Sequence, residues 1–197
     1  MAKFCGKDFL IQRGYDPSGA WAATTAYVIG DVVTNSGNVY RCTAGGTSAG
    51  SGGPTGTGSA ITDGTVTWEY ISATATDGNG YRTIAALKSN SLSLNNEQVD
   101  VSDKDDGQWR ELLGGCGLSS MELSGSGSFT NSGSHKQMMA DYTSRYVGLF
   151  RVISGAGDIF SGNFLCSTLE RSGEFNQAEQ FTIGLASAGA ITYTAIP

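Results

Sequence analysis

The residues able to do chemistry are few and scattered. The chain of 197 residues has one histidine, His135, and four cysteines, Cys5, Cys42, Cys116 and Cys166. A hydrolytic triad needs a nucleophile, a base and an orienting acid, and zinc needs clustered ligands; neither pattern occurs. The cysteines read as small buried residues of a reduced protein. Asp103, Asp105 and Asp106 resemble the opening of a calcium loop, but Lys104 interrupts them and no terminal Glu closes it, so they read as a solvated charge cluster. Gly125-Ser126-Gly127-Ser128 is not a phosphate cradle, because it continues an alternating strand and opens no helix. His135 reads as a surface residue in a first helical turn. No carboxylate pair suited to glycoside cleavage stands out. The expectation is a protein with no catalytic residue, metal or cofactor, whose function is structural or binding.

Composition narrows this further. Twelve basic and 18 acidic residues give a net charge of −6, which argues against tight binding of nucleic acid. Charged residues are only 15% of the chain, against about 25% in ordinary soluble domains. The 29 glycines follow no G-X-Y period, and aromatic residues at 10% are too many for a disordered chain. No apolar run is long enough to cross a membrane, so no membrane insertion is expected. Residues 1–8 lack the apolar stretch of a signal peptide, so synthesis in the cytoplasm is expected.

The elements that must position these residues are mainly β-strands. Met121, Leu123, Gly125, Gly127 and Phe129 alternate, as do Phe181, Ile183 and Leu185. Val147–Ile153 and Ile159–Leu169 are further strands, and Phe9-Leu10-Ile11 begins another. Arg82–Asn95 reads as one long strand whose apolar phase changes between Leu87 and Leu92, which suggests a bulge or bend. One helix is expected over Ser134–Tyr146, with Ser134 as its cap and Met139, Tyr142 and Tyr146 on its inner face. Between Val99 and Ser119 lies a connection far longer than a hairpin loop, with Trp109, Leu112 and Leu113 inside it. Such a loop is usually functional, and its apolar centre favours docking.

Residues 15–80 stand apart, with five acids and only Arg41 as a base. Three short strands, Ala26–Thr34, Asn38–Thr43 and Thr65–Ile71, form a small β insert over residues 15–79. The Ala44–Ala60 run reads as a mobile loop. The flanks, residues 1–14 and 80–197, read as one domain interrupted by this insert. The fold class expected is an antiparallel β-sandwich or barrel with one α-helix, plus a small three-stranded insert.

The strings GKDFLIQRG, LSLNNEQVDVSD, WRELLGGCG–SGSGSF, FSGNFLCSTLERSGEF and FTIGLASAGAITYTA resemble, in that order, the major tail tube protein of long non-contractile-tailed phages and of gene transfer agents. The likeness covers Lys3–Gly14 and Gly80–Ala195. It implies hexameric rings that join their sheets into an inner β-barrel and stack into a tube within the virion. Its partners would be further copies of itself, the tape measure protein, the tail terminator and the distal tail protein, with DNA passing through the lumen without specific binding. The long loop would pack on the adjacent ring through Trp109, Leu112 and Leu113, with Asp103, Lys104, Asp105, Asp106 and Arg110 as charged partners. Ser89–Asn95 and Glu170–Glu179 are candidates for the lumen wall, where small and acidic groups would repel phosphates.

The insert, with Trp21, Tyr27, Gly30-Asp31, Val33, Val39-Tyr40, Pro54 and Trp68-Glu69-Tyr70, is similar to small chitin-binding-type carbohydrate modules. Exposed rings in such modules stack on sugars, so Trp21, Tyr40, Trp68 and Tyr70 are candidate contacts to a host surface glycan. The same rings could instead be the core of a tiny domain with little else to bury. The alternative function is therefore a carbohydrate-binding or adhesion protein acting through the insert. In a ring-forming subunit the insert must point outward, since six copies inside would block the channel.

Overall fold

The computed structural model describes residues 6–104 and 107–195. In chain order its strands are β1 (Leu10–Tyr15), β2 (Ala26–Tyr27), β3 (Val32–Asn35), β4 (Asn38–Ala44), β5 (Gly46–Thr47), β6 (Ile61–Asp63), β7 (Val66–Ala73), β8 (Gly80–Thr83) and β9 (Leu87–Asn96). After these come β10 (Val99–Asp100), β11 (Leu112–Leu113), β12 (Ser119–Ser128), helix α1 (Gly133–Ser144), β13 (Val147–Ile153), β14 (Ile159–Ser172), β15 (Gln180–Ser187) and β16 (Thr192–Thr194). The main sheet has the order β8-β1-β13-β14-β15-β12-β9, with β16 on β14 and every pair antiparallel.

This sheet is strongly curled, for a geometric reason. β8 and β9 end the strand order, yet only Ile84-Ala85-Ala86 joins them. Laid flat, the two would be roughly 29 Å apart, whereas the link reaches at most about 14 Å. The concave face holds the core: Ile11, Met121, Leu123, Phe150, Val152, Phe164, Phe181, Ile183 and Leu185. In β12, alternation puts Met121, Leu123, Gly125 and Gly127 inside and Glu122, Ser124, Ser126 and Ser128 outside, because period two matches the pleat. The bulge expected between Leu87 and Leu92 is present, with Lys88 the extra residue between Leu87 and Ser89. A further break at Ile84–Ala86 divides the expected single strand into β8 and β9. A side chain at Gly127 would collide with the Ala86 carbonyl, and the pairing of β12 with β9 shifts register there.

α1 packs over β14 and the core through Met138. Its cap is Ser132, whose hydroxyl accepts from the His135 amide, and not Ser134. Its inner face also differs from expectation: Ser134, His135, Met138 and Asp141 are buried, while Met139, Tyr142 and Tyr146 are partly exposed. Asp141 turns inward because Arg13 of β1 meets it, with Nε to Oδ2 at 3.1 Å. Arg13 also lies over the rings of Tyr15 and Tyr146.

Residues 15–79 contribute a four-stranded sheet, β3-β4-β7-β6, and the ribbon β2-β5. The expected first strand is broken at Val28–Asp31, where Asp31 accepts from the Val28 amide. β6 is a strand the sequence pattern missed. The Ala44–Ala60 run is pinned: Asn35 donates to the Gly52 and Pro54 carbonyls, Tyr40 to Gly56, and Pro54 is buried. Tyr15, Val39, Ile71 and Val32 pack at the seam with β1. Glu69 lies 3.4 Å from both Arg41 and Arg82, bridging β4 and β8 through β7.

Candidate functional site

The long connection forms an arm. Its root is tied by the Glu97 amide to the Leu118 carbonyl at 2.9 Å and by the Leu118 amide to the Glu97 carboxylate at 3.0 Å. β10 and β11 pair Val99 with Leu113 and Asp100 with Leu112, and the Glu111 amide donates to Ser102 Oγ at 2.7 Å. Arg110 donates to Gln98 Oε1 at 2.9 Å. The structure brings the arm residues together without covering them: Trp109 is 87% exposed, Leu118 80%, and Leu112 and Leu113 over two fifths. Lys104 and Asp103 are exposed, while Asp105 and Asp106 lie outside the described residues. Leu118 extends the apolar set beyond the residues singled out in the sequence. Apolar surface displayed this openly marks an interaction site.

A second feature is a pair of free strand edges. Among the described residues β9 pairs only with β12. β14 pairs with β13 through Leu165, but among the described residues Cys166–Ser172 have β15 alone as partner. The face between these edges is small and polar. Ser91, Ser93, Glu122, Ser124, Thr168 and Gly184 line a shallow depression of about 340 Å³, and Ser91 Oγ lies 2.7 Å from Ser124 Oγ. Glu170 is exposed on this side, whereas Glu179 is tied to Arg171 at 2.6 Å. That contact holds the Glu179 carboxyl below its usual range.

The four insert aromatics are differently placed. Tyr40 and Trp68 are 0% exposed, so neither can stack on a sugar; they are the core of the insert with Val33, Cys42 and Val66. Trp21 and Tyr70 are half-buried against that core. Sequence reasoning missed the residue that organises these rings, buried Asp63. Its Oδ2 accepts from the indoles of Trp21 at 2.7 Å and Trp68 at 3.1 Å, and its Oδ1 from the Ala49 amide at 2.9 Å. The only sequence signal was an acid ahead of a glycine turn in a segment with few cations. The exposed apolar residues of the insert are Val28 and Ile29.

His135, expected on the surface, is buried between Phe129 and Phe181, with Nδ1 3.1 Å from both Thr130 and Ser132 hydroxyls. Burial lowers its pKa below the ordinary 6.5; Arg171 adds to this and the Thr130 contact opposes it. The unfolded chain therefore takes up the proton first, so stability falls as pH drops below about 6.5 until the folded-state pKa is passed. The melting temperature should fall between pH 7 and pH 5, and His135→Asn should flatten that part of the profile. An unchanged slope in the variant would assign the acid sensitivity elsewhere.

Cys42 and Cys166 are buried free thiols, but Cys116, in the arm, is exposed. Among the described residues no cluster of three metal-ligating side chains exists, and no helix is long and apolar enough to cross a membrane.

An apolar arm, two free strand edges and a polar face between them describe a structural β protein that associates with copies of itself. The family model for phage tail tube proteins matches residues 70–193, almost two thirds of the chain, and the chain belongs to that family. A model for carbohydrate-binding module family 5/12 matches residues 20–55, inside the insert. Two similar solved structures come from gene transfer agents. One, from the virion of a native particle, is 36% identical with TM-score 0.55, covering 58% of this chain and 89% of that one. The other, from the tail of an empty particle refined with C6 symmetry, is 34% identical with TM-score 0.57, covering 61% and 91%. No curated protein sequence matches significantly.

Proposed function

We propose that copies of this chain join edge to edge into rings, that the rings stack into the tail tube of a phage or phage-like particle, and that DNA passes through the lumen. The carrying observation is the pair of free edges. β9, β12, β15 and β14 alternate in direction, so β9 and β14 run oppositely. In a copy related by rotation about the tube axis, β9 runs antiparallel to the first copy's β14. The two edges can then form a regular ladder, which removes both from solvent. The C6 symmetry of the similar gene transfer agent tail supports six copies per ring.

The Ser/Thr-rich face then lines the lumen. Hydroxyls, glycines and two exposed carboxylates offer DNA no cation to bind, and Glu122 and Glu170 repel phosphates. The insert leaves after β1 and returns at β8, so it interrupts none of these four strands, which suits the outer wall. The tape measure, terminator and distal tail proteins are the partners such a tube requires. The match over residues 20–55 favours a second reading, glycan binding by the insert, but the burial of Tyr40 and Trp68 counts against the contacts expected for it.

Leu94→Pro tests the ring. The Glu97 amide bonds to the Leu118 carbonyl and the Met121 amide turns away to Ser187, so by alternation Leu94, opposite Met121, turns its backbone groups to the free edge. Proline there should leave the monomer's melting temperature within a few degrees and cut tube yield in electron micrographs at least tenfold. Normal tubes from this variant, or a wild-type chain that stays monomeric at every concentration, would overturn the reading.

A further inference from the structure

The arm leaves from the Asn96 end of β9. At the Leu87 end of the same strand, Phe9, Leu10, Ile84, Leu87, Lys88 and Asn90 line a groove of about 680 Å³. Ten residues at about 3.3 Å each put the arm's root and this groove roughly 30 Å apart, at opposite ends of one face. Subunits stacked head to tail therefore bring the arm of one to the groove end of the next.

The chemistry of the two surfaces matches. Residues 97–118 carry six acids against two bases, around exposed Trp109, Leu112 and Leu113. The groove wall is largely apolar and contributes Lys88 but no acid. Asn90 donates through Nδ2 to the Phe9 carbonyl at 3.0 Å, which ties the two sides of the groove together.

We propose that Trp109 of one subunit seats in the Phe9–Asn90 groove of a subunit in the adjoining ring. Its ring packs against the apolar wall, and Lys88 faces the carboxylates of the arm. This rests on the stacked-ring reading and adds to it the receiving site, made by the seam where the curled sheet nearly closes on itself.

The full-length chain with Trp109 replaced by the photo-crosslinker p-benzoylphenylalanine tests the contact. After assembly and illumination, the crosslinked peptide should come from residues 6–11 or 83–90 of another copy. Lys88→Glu, at an exposed position, should keep rings but reduce pelletable tube at least tenfold. Crosslinks to the Phe175 loop or to the α1 surface, or normal tubes from Lys88→Glu, would overturn the groove while leaving the stacked rings intact. A wild-type chain that forms no rings would overturn the stacking reading and the groove with it.

Discussion

Asp63→Asn is expected to unfold residues 15–79 while the main sheet stays folded. The carboxylate is buried without a cation and is held by three N–H donors, from Trp21, Trp68 and Ala49. The amide keeps the shape but turns one oxygen into a donor, so at least one of these N–H groups is left facing another N–H. Hydrogen bonds to charged groups contribute about 1.5–3 kcal/mol each, and a buried donor left unpaired costs about 1–3 kcal/mol more. A loss of about 3–5 kcal/mol exceeds what a unit of this size, with five fully buried core side chains, can spare. Urea unfolding followed by tryptophan fluorescence reads this directly, because two of the three tryptophans are the donors in question. The variant should show a separate early transition. A single transition at the wild-type midpoint would remove Asp63 from its organising role.

The same residue shows why the sequence was legible in some places and opaque in others. β12 and β15 could be read because one face of each is buried and the other wet, so period two is written into the residue types. The insert aromatics supported two readings, since a ring in a core and a ring on a sugar look alike in sequence. Only their burial, and the hydrogen bonds of Asp63, separate the two. Composition misled for Ala44–Ala60: small residues suggested mobility, but Asn35 and Tyr40, which hold the run in place, lie outside it. For the interface, the apolar content of the arm was visible as Trp109 and two leucines. The free edges were not, because strand order is a property of long-range pairing that no local pattern encodes. The helix itself was legible, but its inward face was not, for a related reason. A search for an apolar stripe chose Met139, Tyr142 and Tyr146, whereas three of its inward positions are polar residues, Ser134, His135 and Asp141, with partners supplied from elsewhere.

Asp141→Leu should cost about 3–5 kcal/mol, since breaking a buried pair leaves its other charge uncompensated. Arg13 and Asp141 are 11% and 3% exposed, contact each other at 3.1 and 3.3 Å, and lie 128 residues apart in sequence. Their meeting clamps α1 to β1, across a sheet whose β14 lies under the helix. With Asp141 gone, Arg13 keeps the Gly14 carbonyl and two aromatic rings but loses its anion, so the helix should loosen over β14. Because the outer half of β14 is one of the two free edges, tube yield should fall with stability. The double variant Arg13→Met/Asp141→Leu separates charge from packing. Replacing a buried ion pair by apolar side chains of similar size is often neutral or stabilising, so the double variant should recover most of the urea midpoint and of the tube yield. If it is no more stable than Asp141→Leu alone, the cost lies in lost packing at the helix and not in a stranded cation. If it regains stability but not tubes, the ion pair holds β14 in the register the next subunit pairs with, and its value to the protein lies in assembly more than in folding.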